Sequence, residues 1–144
     1  MSEHKQLIAT ALAARATSIA PFSKFQVGAS LLAADGTIIS GANVESASYG
    51  LSCCAERVAL FKALTEGHRQ FHAVAVASPG GAAPCGACRQ LLAEYAAQAV
   101  VLLVDSDAPD SINNTTVATL LPLAFTSGDL PGIPPPVDFI KQSD

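Results

Sequence analysis

The chain has 144 residues, of which half are hydrophobic and 14% are charged, and its formal net charge is −4. This length predicts one domain with a sizeable core, and the apolar composition suggests that some surface is buried between subunits. Because its lysines and arginines form no basic cluster and no apolar run approaches the about 20 residues of a membrane span, we expect neither a nucleic-acid partner nor a membrane-spanning helix.

In chain order, the spacing of apolar residues predicts alternating helices and strands. The predicted elements are a helix over residues 3–19, strands over 25–33 and 37–39, a helix over 54–67, a strand over 71–77, a helix over 85–97 and a strand over 99–104. Asp35-Gly36 is a typical hairpin turn, so the first two strands should be antiparallel. Residues 105–116 are predicted to be polar turns, and residues 117–121 a short helix. The order αββαβαβ predicts an α/β sandwich with a mixed sheet.

The cysteines occur in two motifs that predict a metal site. Cys85 and Cys88 follow Pro84, and at this spacing in the first turn of a helix both sulfurs can face one ion. Since no signal-peptide pattern is present we expect a cytoplasmic protein, in which cysteines more often bind metal than form disulfides. Cys54 is a candidate third ligand, and Glu56 offers a carboxylate for proton transfer beside an activated water. Three ligands and an open fourth position are typical of catalytic zinc.

The motifs also allow other interpretations. Cys85 and Cys88 alone are more typical of a structural zinc half-site or a redox pair. A closed site using all four cysteines, Cys53 included, would make the protein a structural zinc or interaction module. Adjacent cysteines chelate one ion poorly, however, and a closed site would leave Glu56 without a role. A catalytic site with three thiolates would need positive charge nearby, for which two helix N-termini and Arg57 are the candidates.

Helical geometry leaves open which of Cys53 and Cys54 binds the metal. On an ideal helix Cys53 and Glu56 share a face, whereas Cys54 and Glu56 are about 200° apart. Cys54 can still be the ligand if it is the N-cap residue, because the backbone there need not be helical.

Five segments, over residues 21–29, 41–50, 54–57, 84–90 and 120–125, read PFSKFQVGA, GANVESASYG, CAER, PCGACRQ and LLPLAF. In this order they resemble the motifs of the small, homotetrameric, zinc-dependent cytidine deaminases. The resemblance implies a three-layer α/β sandwich with a mixed five-stranded sheet, one Zn²⁺ per subunit and a homotetramer. It also implies a catalytic domain over residues 1–126, which leaves a proline-rich C-terminal tail over 127–144.

The resemblance further implies hydrolytic deamination of cytidine and 2′-deoxycytidine to uridine and 2′-deoxyuridine, a reaction of pyrimidine salvage. Glu56 would relay the proton of a zinc-activated water to N3 of cytosine and later to the departing ammonia. The implied ligands are Cys54, Cys85 and Cys88. The implied substrate contacts are Asn43 and Glu45 with a ribose hydroxyl, Phe25 against the pyrimidine, the Ala55 backbone N–H with O2, and Tyr49 and Phe125 reaching a neighbouring subunit's site.

The sequence departs from the family's pattern at Phe22, where tyrosine is more frequent, at Cys53 and in the tail after residue 125. Another aminopyrimidine nucleoside compound, as in the blasticidin deaminases, is an alternative substrate within the same chemistry. Glu45 and Tyr49 favour cytidine. Arg89 could lie near the metal ligands or on the exposed face of its helix, and we expect the latter.

Overall fold

The computed structural model describes residues 2–133 as nine α-helices and β-strands joined by short loops. They are α1 Ser2–Ala14, β1 Gly28–Ala33, β2 Ile38–Ala42, α2 Ala55–Thr65, β3 Phe71–Ser78, α3 Gly86–Tyr95, β4 Val100–Asp105, β5 Ile112–Thr116 and α4 Val117–Leu120. Within residues 2–133, no helix has the length and apolar composition needed to cross a membrane.

The strands form one mixed sheet in the order β2-β1-β3-β4-β5. β3 and β4 are parallel and are joined through α3, whereas the other neighbouring pairs are antiparallel. Helix α1 packs on one face of this sheet, and helices α2 and α3 pack on the other. Each face of the sheet has its own cluster of buried apolar residues. β1 is buried along its whole length because it is an inner strand covered on both faces. The three layers, the mixed sheet and the five strands agree with the predicted fold class.

Helix α1 lies unusually close to the sheet. A Cβ atom added to Gly28 at the start of β1 would lie 2.0 Å from the carbonyl oxygen of Ala11, so only glycine fits there. Beside it, the buried Ser30 hydroxyl donates a 2.6 Å hydrogen bond to the carbonyl oxygen of Leu7. This bond satisfies a polar group that would otherwise be costly inside the core.

The structure corrects the prediction that residues 105–116 are all turn. Ile112–Thr116 forms β5, which pairs antiparallel with β4 at the edge of the sheet. Its residues are mostly exposed, so a polar composition is compatible with a strand there. The sequence pattern could not distinguish such an edge strand from a loop, because only one of its residues is strongly apolar.

Two predicted boundaries also move. The first helix ends at Ala14 and continues only as a short 3₁₀ turn, Arg15–Thr17, instead of reaching residue 19. β1 begins at Gly28 instead of at residue 25, because residues 25 and 27 bond to the side chain and the backbone N–H of Asn43, which lies just beyond the end of β2. The Asn43 amide donates to the carbonyl oxygen of Phe25 and accepts from the N–H of Val27.

The proposed division between a catalytic domain over 1–126 and a tail over 127–144 remains a prediction. The first part of that tail contains a 3₁₀ turn, Ser127–Asp129, in which the Asp129 carboxylate accepts from the N–H of Thr126 at 2.8 Å. The prolines at 134, 135 and 136, which contribute to the proline-rich composition of the tail, lie outside the described residues.

Candidate active site

The N-termini of α2 and α3 meet and bring three cysteines together. Cys54 is the N-cap residue of α2 and Cys85 that of α3, both with extended backbone, and Cys88 lies in the first turn of α3. The Sγ atoms of Cys54 and Cys85 are 3.7 Å apart, and those of Cys85 and Cys88 3.5 Å apart. All three sulfurs lie within 4.8 Å of one another. The convergence expected from the sequence is therefore present.

The donor set fits a zinc ion. Sulfurs held at about 2.3 Å from one tetrahedral zinc are separated by about 3.8 Å, which is close to the observed spacing. Thiolates are soft ligands that favour zinc over hard cations such as Mg²⁺. Three protein ligands at this spacing match a site in which one coordination position is left for reactants.

Cys53 lies outside this group of sulfurs. Its backbone N–H donates to the carbonyl oxygen of Val44 at 2.8 Å, in an isolated antiparallel bridge. Its thiol points to the carbonyl oxygen of Cys54, and burial raises the pKa of that thiol. Because Cys54 is the N-cap residue and has an extended backbone, its side chain does not point in the direction that an ideal helix would impose, about 200° away from Glu56. A closed site with four cysteines does not fit this geometry.

Arg57 supplies positive charge beside the sulfurs. One of its terminal nitrogens donates to Cys54 Sγ at 3.4 Å, and this contact raises the pKa of Arg57. The pKa of Cys54 is lowered to about 5, mainly by hydrogen bonding from Cys88 and to a smaller extent by hydrogen bonding from Arg57, although burial opposes this shift. The pKa of Cys88 is raised by its bond to Cys54 and by burial. One thiolate is thus favoured even before a metal shares its charge.

Glu56 is placed beside these sulfurs by the first turn of α2. Its side chain is only 5% exposed and lines the cavity described next. Burial raises the pKa of the Glu56 carboxyl. A carboxyl group in this position can exchange a proton with a small molecule while bulk water is largely excluded.

A cavity of about 280 Å³ opens next to the sulfurs and is lined mostly by apolar groups. Its walls come from the loop before β1, from the loop after β2, from the start of α2, and from the end of β3 with the loop that follows it. The lining residues are Ser23, Phe25, Val27, Asn43, Glu45, Cys54, Ala55, Glu56, Val76, Ser78, Ala82, Ala83 and Cys85. Among these described lining residues there is no lysine or arginine.

Asn43 and Glu45 line the cavity, and the structure also gives them protein partners. The Asn43 side-chain oxygen accepts from Ser18 Oγ and from the N–H of Val27, and its nitrogen donates to the carbonyl oxygen of Phe25. Glu45 accepts from the N–H groups of Phe22 and Ser23 and from the Ser23 hydroxyl. These bonds hold the pKa of Glu45 below its usual value, and the bond from the Ser23 hydroxyl has the largest effect. Both side chains thus fix the loop that carries Phe25.

Tyr49 and Phe125 do not line this cavity in their own subunit. They are 75% and 56% exposed, respectively. The Tyr49 ring packs edge-to-face on Phe22, with 5.9 Å between the centroids, beside a second hollow that shares Ser23 and Glu45 with the cavity. The carbonyl oxygen of Phe125 accepts a 2.6 Å bond from Gln90, which ties the Phe125 segment to α3.

Sequence reasoning missed two features of the site. Arg89 is half-buried and not a surface residue of its helix, since it donates to the carbonyl oxygens of Pro84 at 2.7 Å and Leu120 at 3.0 Å. The cavity wall formed by Ser78, Ala82 and Ala83 was also missed. Its signal was the position of these residues at the carboxyl end of β3 and in the loop that follows, because ligands bind beyond the carboxyl ends of parallel strands.

Comparisons with known proteins agree on one family. The model of the cytidine and deoxycytidylate deaminase zinc-binding region matches residues 1–104. A cytidine deaminase of Sporosarcina psychrophila is 47% identical over 128 residues, which are 88% of this chain and 93% of that protein. The solved structure of a cytidine deaminase from Burkholderia pseudomallei superposes with a TM-score of 0.79 at 46% identity, covering 85% of this chain and 98% of that one. A blasticidin-S deaminase of Bacillus cereus is 32% identical over 114 residues, 72% of this chain and 79% of that protein.

Replacing the two adjacent cysteines one at a time tests which of them is a metal ligand. We expect Cys54→Ala to retain less than about a fifth of the wild-type zinc and to lose stability, because a missing ligand costs both. Cys53→Ala should keep stoichiometric zinc, since its thiol lies outside the group of three sulfurs. Elemental analysis of the purified proteins and thermal melts measure the two effects. Zinc lost from Cys53→Ala and kept by Cys54→Ala would show that the metal is held differently.

Proposed function

The chain belongs to the zinc-binding cytidine and deoxycytidylate deaminase family, and we propose from this that it is a cytidine deaminase. It is a hydrolase that converts cytidine and 2′-deoxycytidine to uridine and 2′-deoxyuridine with release of ammonia. The observation that carries the proposal is the group of three thiols that meets the buried Glu56 carboxyl at one small cavity. This combination supplies a metal site and a proton carrier at the same place.

The charge of the cavity favours a free nucleoside over a nucleotide. Recognition of a phosphate normally uses arginine, lysine or a cluster of backbone N–H groups. The described residues that line the cavity include neither cation and do include the Glu45 carboxylate, which would repel a phosphate. Cytidine therefore fits better than deoxycytidylate, although the family includes deaminases of both kinds.

The chemistry needs an activated water and a group that moves its proton. When bound, zinc supplies a Lewis acid that makes a water a good nucleophile near neutral pH. Glu56 accepts a proton from the attacking water and delivers it to N3 as the new C4–O bond forms. Glu56 then takes the proton of the new C4 hydroxyl and passes it to the amino group, so that the C4 carbonyl forms, the C4–N bond breaks and ammonia leaves. Cys54, Cys85 and Cys88 hold the metal, and Arg57 offsets part of their negative charge.

Substrate orientation comes from the surrounding elements. Ala55 is the first residue of α2, where backbone N–H groups have no partner within the helix, so its N–H is suited to the pyrimidine O2. Phe25 packs against the base. The second N–H of the Asn43 amide and the Glu45 carboxylate contact the ribose hydroxyls, since both groups line the cavity. Their bonds to the loop of residues 22–27 hold them ready before substrate arrives.

An assay across a panel of substrates tests the proposed function. We expect loss of the cytosine absorbance with cytidine and 2′-deoxycytidine, at a kcat/KM at least about 100-fold above that for deoxycytidylate, because like charges in a site cost several kcal/mol. Single-stranded oligonucleotides should not be deaminated, because the ribose contacts require an unblocked sugar. Faster turnover of blasticidin S or of single-stranded DNA than of cytidine would contradict the assigned substrate class.

Exchanging one carboxylate for an amide tests the proton carrier. Glu56→Gln preserves size and leaves all three thiols in place, so we expect normal zinc content and a normal melting temperature. The kcat should fall by about 10²–10⁴-fold, the range that a positioned acid–base group supplies. Glu66→Gln is the matched control, because Glu66 lies at the far end of the same helix. If Glu56→Gln loses its zinc, Glu56 serves the metal site and not proton transfer.

We propose further that the protein is a homotetramer whose cavities are completed by neighbouring subunits, with Tyr49 and Phe125 as the residues that cross the interfaces. What supports this is a set of exposed apolar side chains larger than a monomer needs, among them Leu51, Leu123 and these two aromatics. We also propose that the enzyme works in the cytoplasm, in pyrimidine salvage.

Light scattering at micromolar concentration should give four times the subunit mass. Phe125→Ala should raise the KM for cytidine and preserve the zinc content, because the ring is outside the cavity of its own subunit. A monomer that has full activity on dilution would refute the shared site.

A further inference from the structure

The loop of residues 79–85, between β3 and α3, forms one wall of the cavity. Ala82 and Ala83 line the cavity, and the loop ends at the candidate metal ligand Cys85. Gly80 and Gly81 both have positive φ, of 82° and 67°, which few other residues adopt without strain. A loop with two such glycines is free to take many conformations unless its polar groups are held.

Hydrogen bonds hold this loop at four of its residues, at positions 80, 81, 82 and 84. The N–H groups of Gly81 and Ala82 donate to the carbonyl and the hydroxyl of Ser78, respectively, each at 3.0 Å. The Gly80 N–H donates to Asp105 Oδ1 at 2.9 Å. After the wall residues, the carbonyl oxygen of Pro84 accepts from Arg89. The glycine turn is therefore fixed from β3 and β4, whereas the end of the loop at Pro84 is fixed from α3.

Asp105 is the one side chain from β4 in this set. It lies opposite Ser78 in the parallel pairing of β3 and β4. Its Oδ1 accepts from the Asp107 N–H at 2.9 Å as well as from Gly80. The bond from Asp107 has the largest effect, and together the two bonds hold the pKa of Asp105 below its usual value. A Cβ on Gly81 would lie 3.3 Å from the Asp105 backbone nitrogen, so the turn also packs directly on this residue. Asp105 itself does not line the cavity.

We propose that Asp105 is a positioning residue for substrate binding, which holds the Gly80-Gly81 turn so that Ala82 and Ala83 form a ready-made cavity wall. This inference rests on the proposed deaminase function. A wall fixed before substrate arrives avoids an ordering cost on binding. Loss of the Asp105 carboxylate frees the Gly80 N–H and so loosens the start of the turn that leads to Ala82 and Ala83. Because Arg89 holds Pro84 separately, Cys85 and Glu56 do not move. Loss of the Asp105 carboxylate therefore lowers substrate affinity and leaves zinc binding and the rate of the chemical step unchanged.

The test compares Asp105→Ala, Asp105→Asn and the wild type, all loaded with zinc. Asp105→Ala should raise the KM for cytidine by about tenfold, as expected for a lost hydrogen bond to a charged group, and keep kcat and zinc content within about twofold. Asp105→Asn keeps an acceptor oxygen, so its KM should stay within about threefold of the wild-type value. Asp110→Ala, which removes an exposed carboxylate from the same β4–β5 connection, is the matched control and should change nothing.

Amide hydrogen exchange gives a readout that does not depend on turnover. In the wild type without substrate, the amides of residues 80–82 should already exchange much more slowly than that of the exposed residue 110, and Asp105→Ala should remove the protection of Gly80. Exchange at Gly80 as fast as at residue 110 in the wild type would overturn the inference, even if the alanine variant failed to fold. Equal KM values in Asp105→Ala and wild type, or a KM in Asp105→Asn as high as in Asp105→Ala, would also overturn it. A wild type that turns over no nucleoside would refute the proposed function separately.

Discussion

Three sulfur atoms that come from cysteines up to 34 positions apart must meet within 4.8 Å, and the rest of the fold is arranged around that requirement. Two of the cysteines are N-cap residues, so their position depends on where α2 and α3 begin and on how both helices pack against the same face of the sheet. The parallel pairing of β3 with β4 fixes α3, while the packing of α2 against β1 and β2 fixes α2. A small shift of either helix would separate the sulfurs.

The meeting of two helix N-termini also answers an electrostatic problem. Three thiolates around one divalent ion leave a net negative charge, which weakens the ion as an activator of water. Each helix N-terminus acts as about half a positive charge, and Arg57 adds a full one beside Cys54. The backbone geometry that gathers the ligands therefore also supplies the compensating charge, so that the apolar cavity needs no additional cation among its described lining residues.

Local patterns in the sequence predicted most of this arrangement. The Cys85–Cys88 spacing and the Cys54–Glu56 segment predicted the site, and the apolar periodicity predicted the helices and four of the five strands. Helical spacing could not choose between Cys53 and Cys54, because the answer depends on the backbone angles of a single N-cap residue. The edge strand β5 was missed because exposure permits polar residues there. The position of the wall around Ser78 could have been predicted from the carboxyl end of β3, but not its shape, since neighbours distant in sequence such as Asp105 hold it.

The bonding of Asn43 has a consequence for how sugar preference can change. The amide that we propose contacts the ribose also takes the place of a strand partner, because it pairs with the backbone of residues 25 and 27. An exchange at Asn43 would alter sugar contact and the placement of the aromatic ring on the base at once. With the proposed contacts, changes in sugar preference are confined to positions other than Asn43, and the sugar and the base would be recognised together instead of independently.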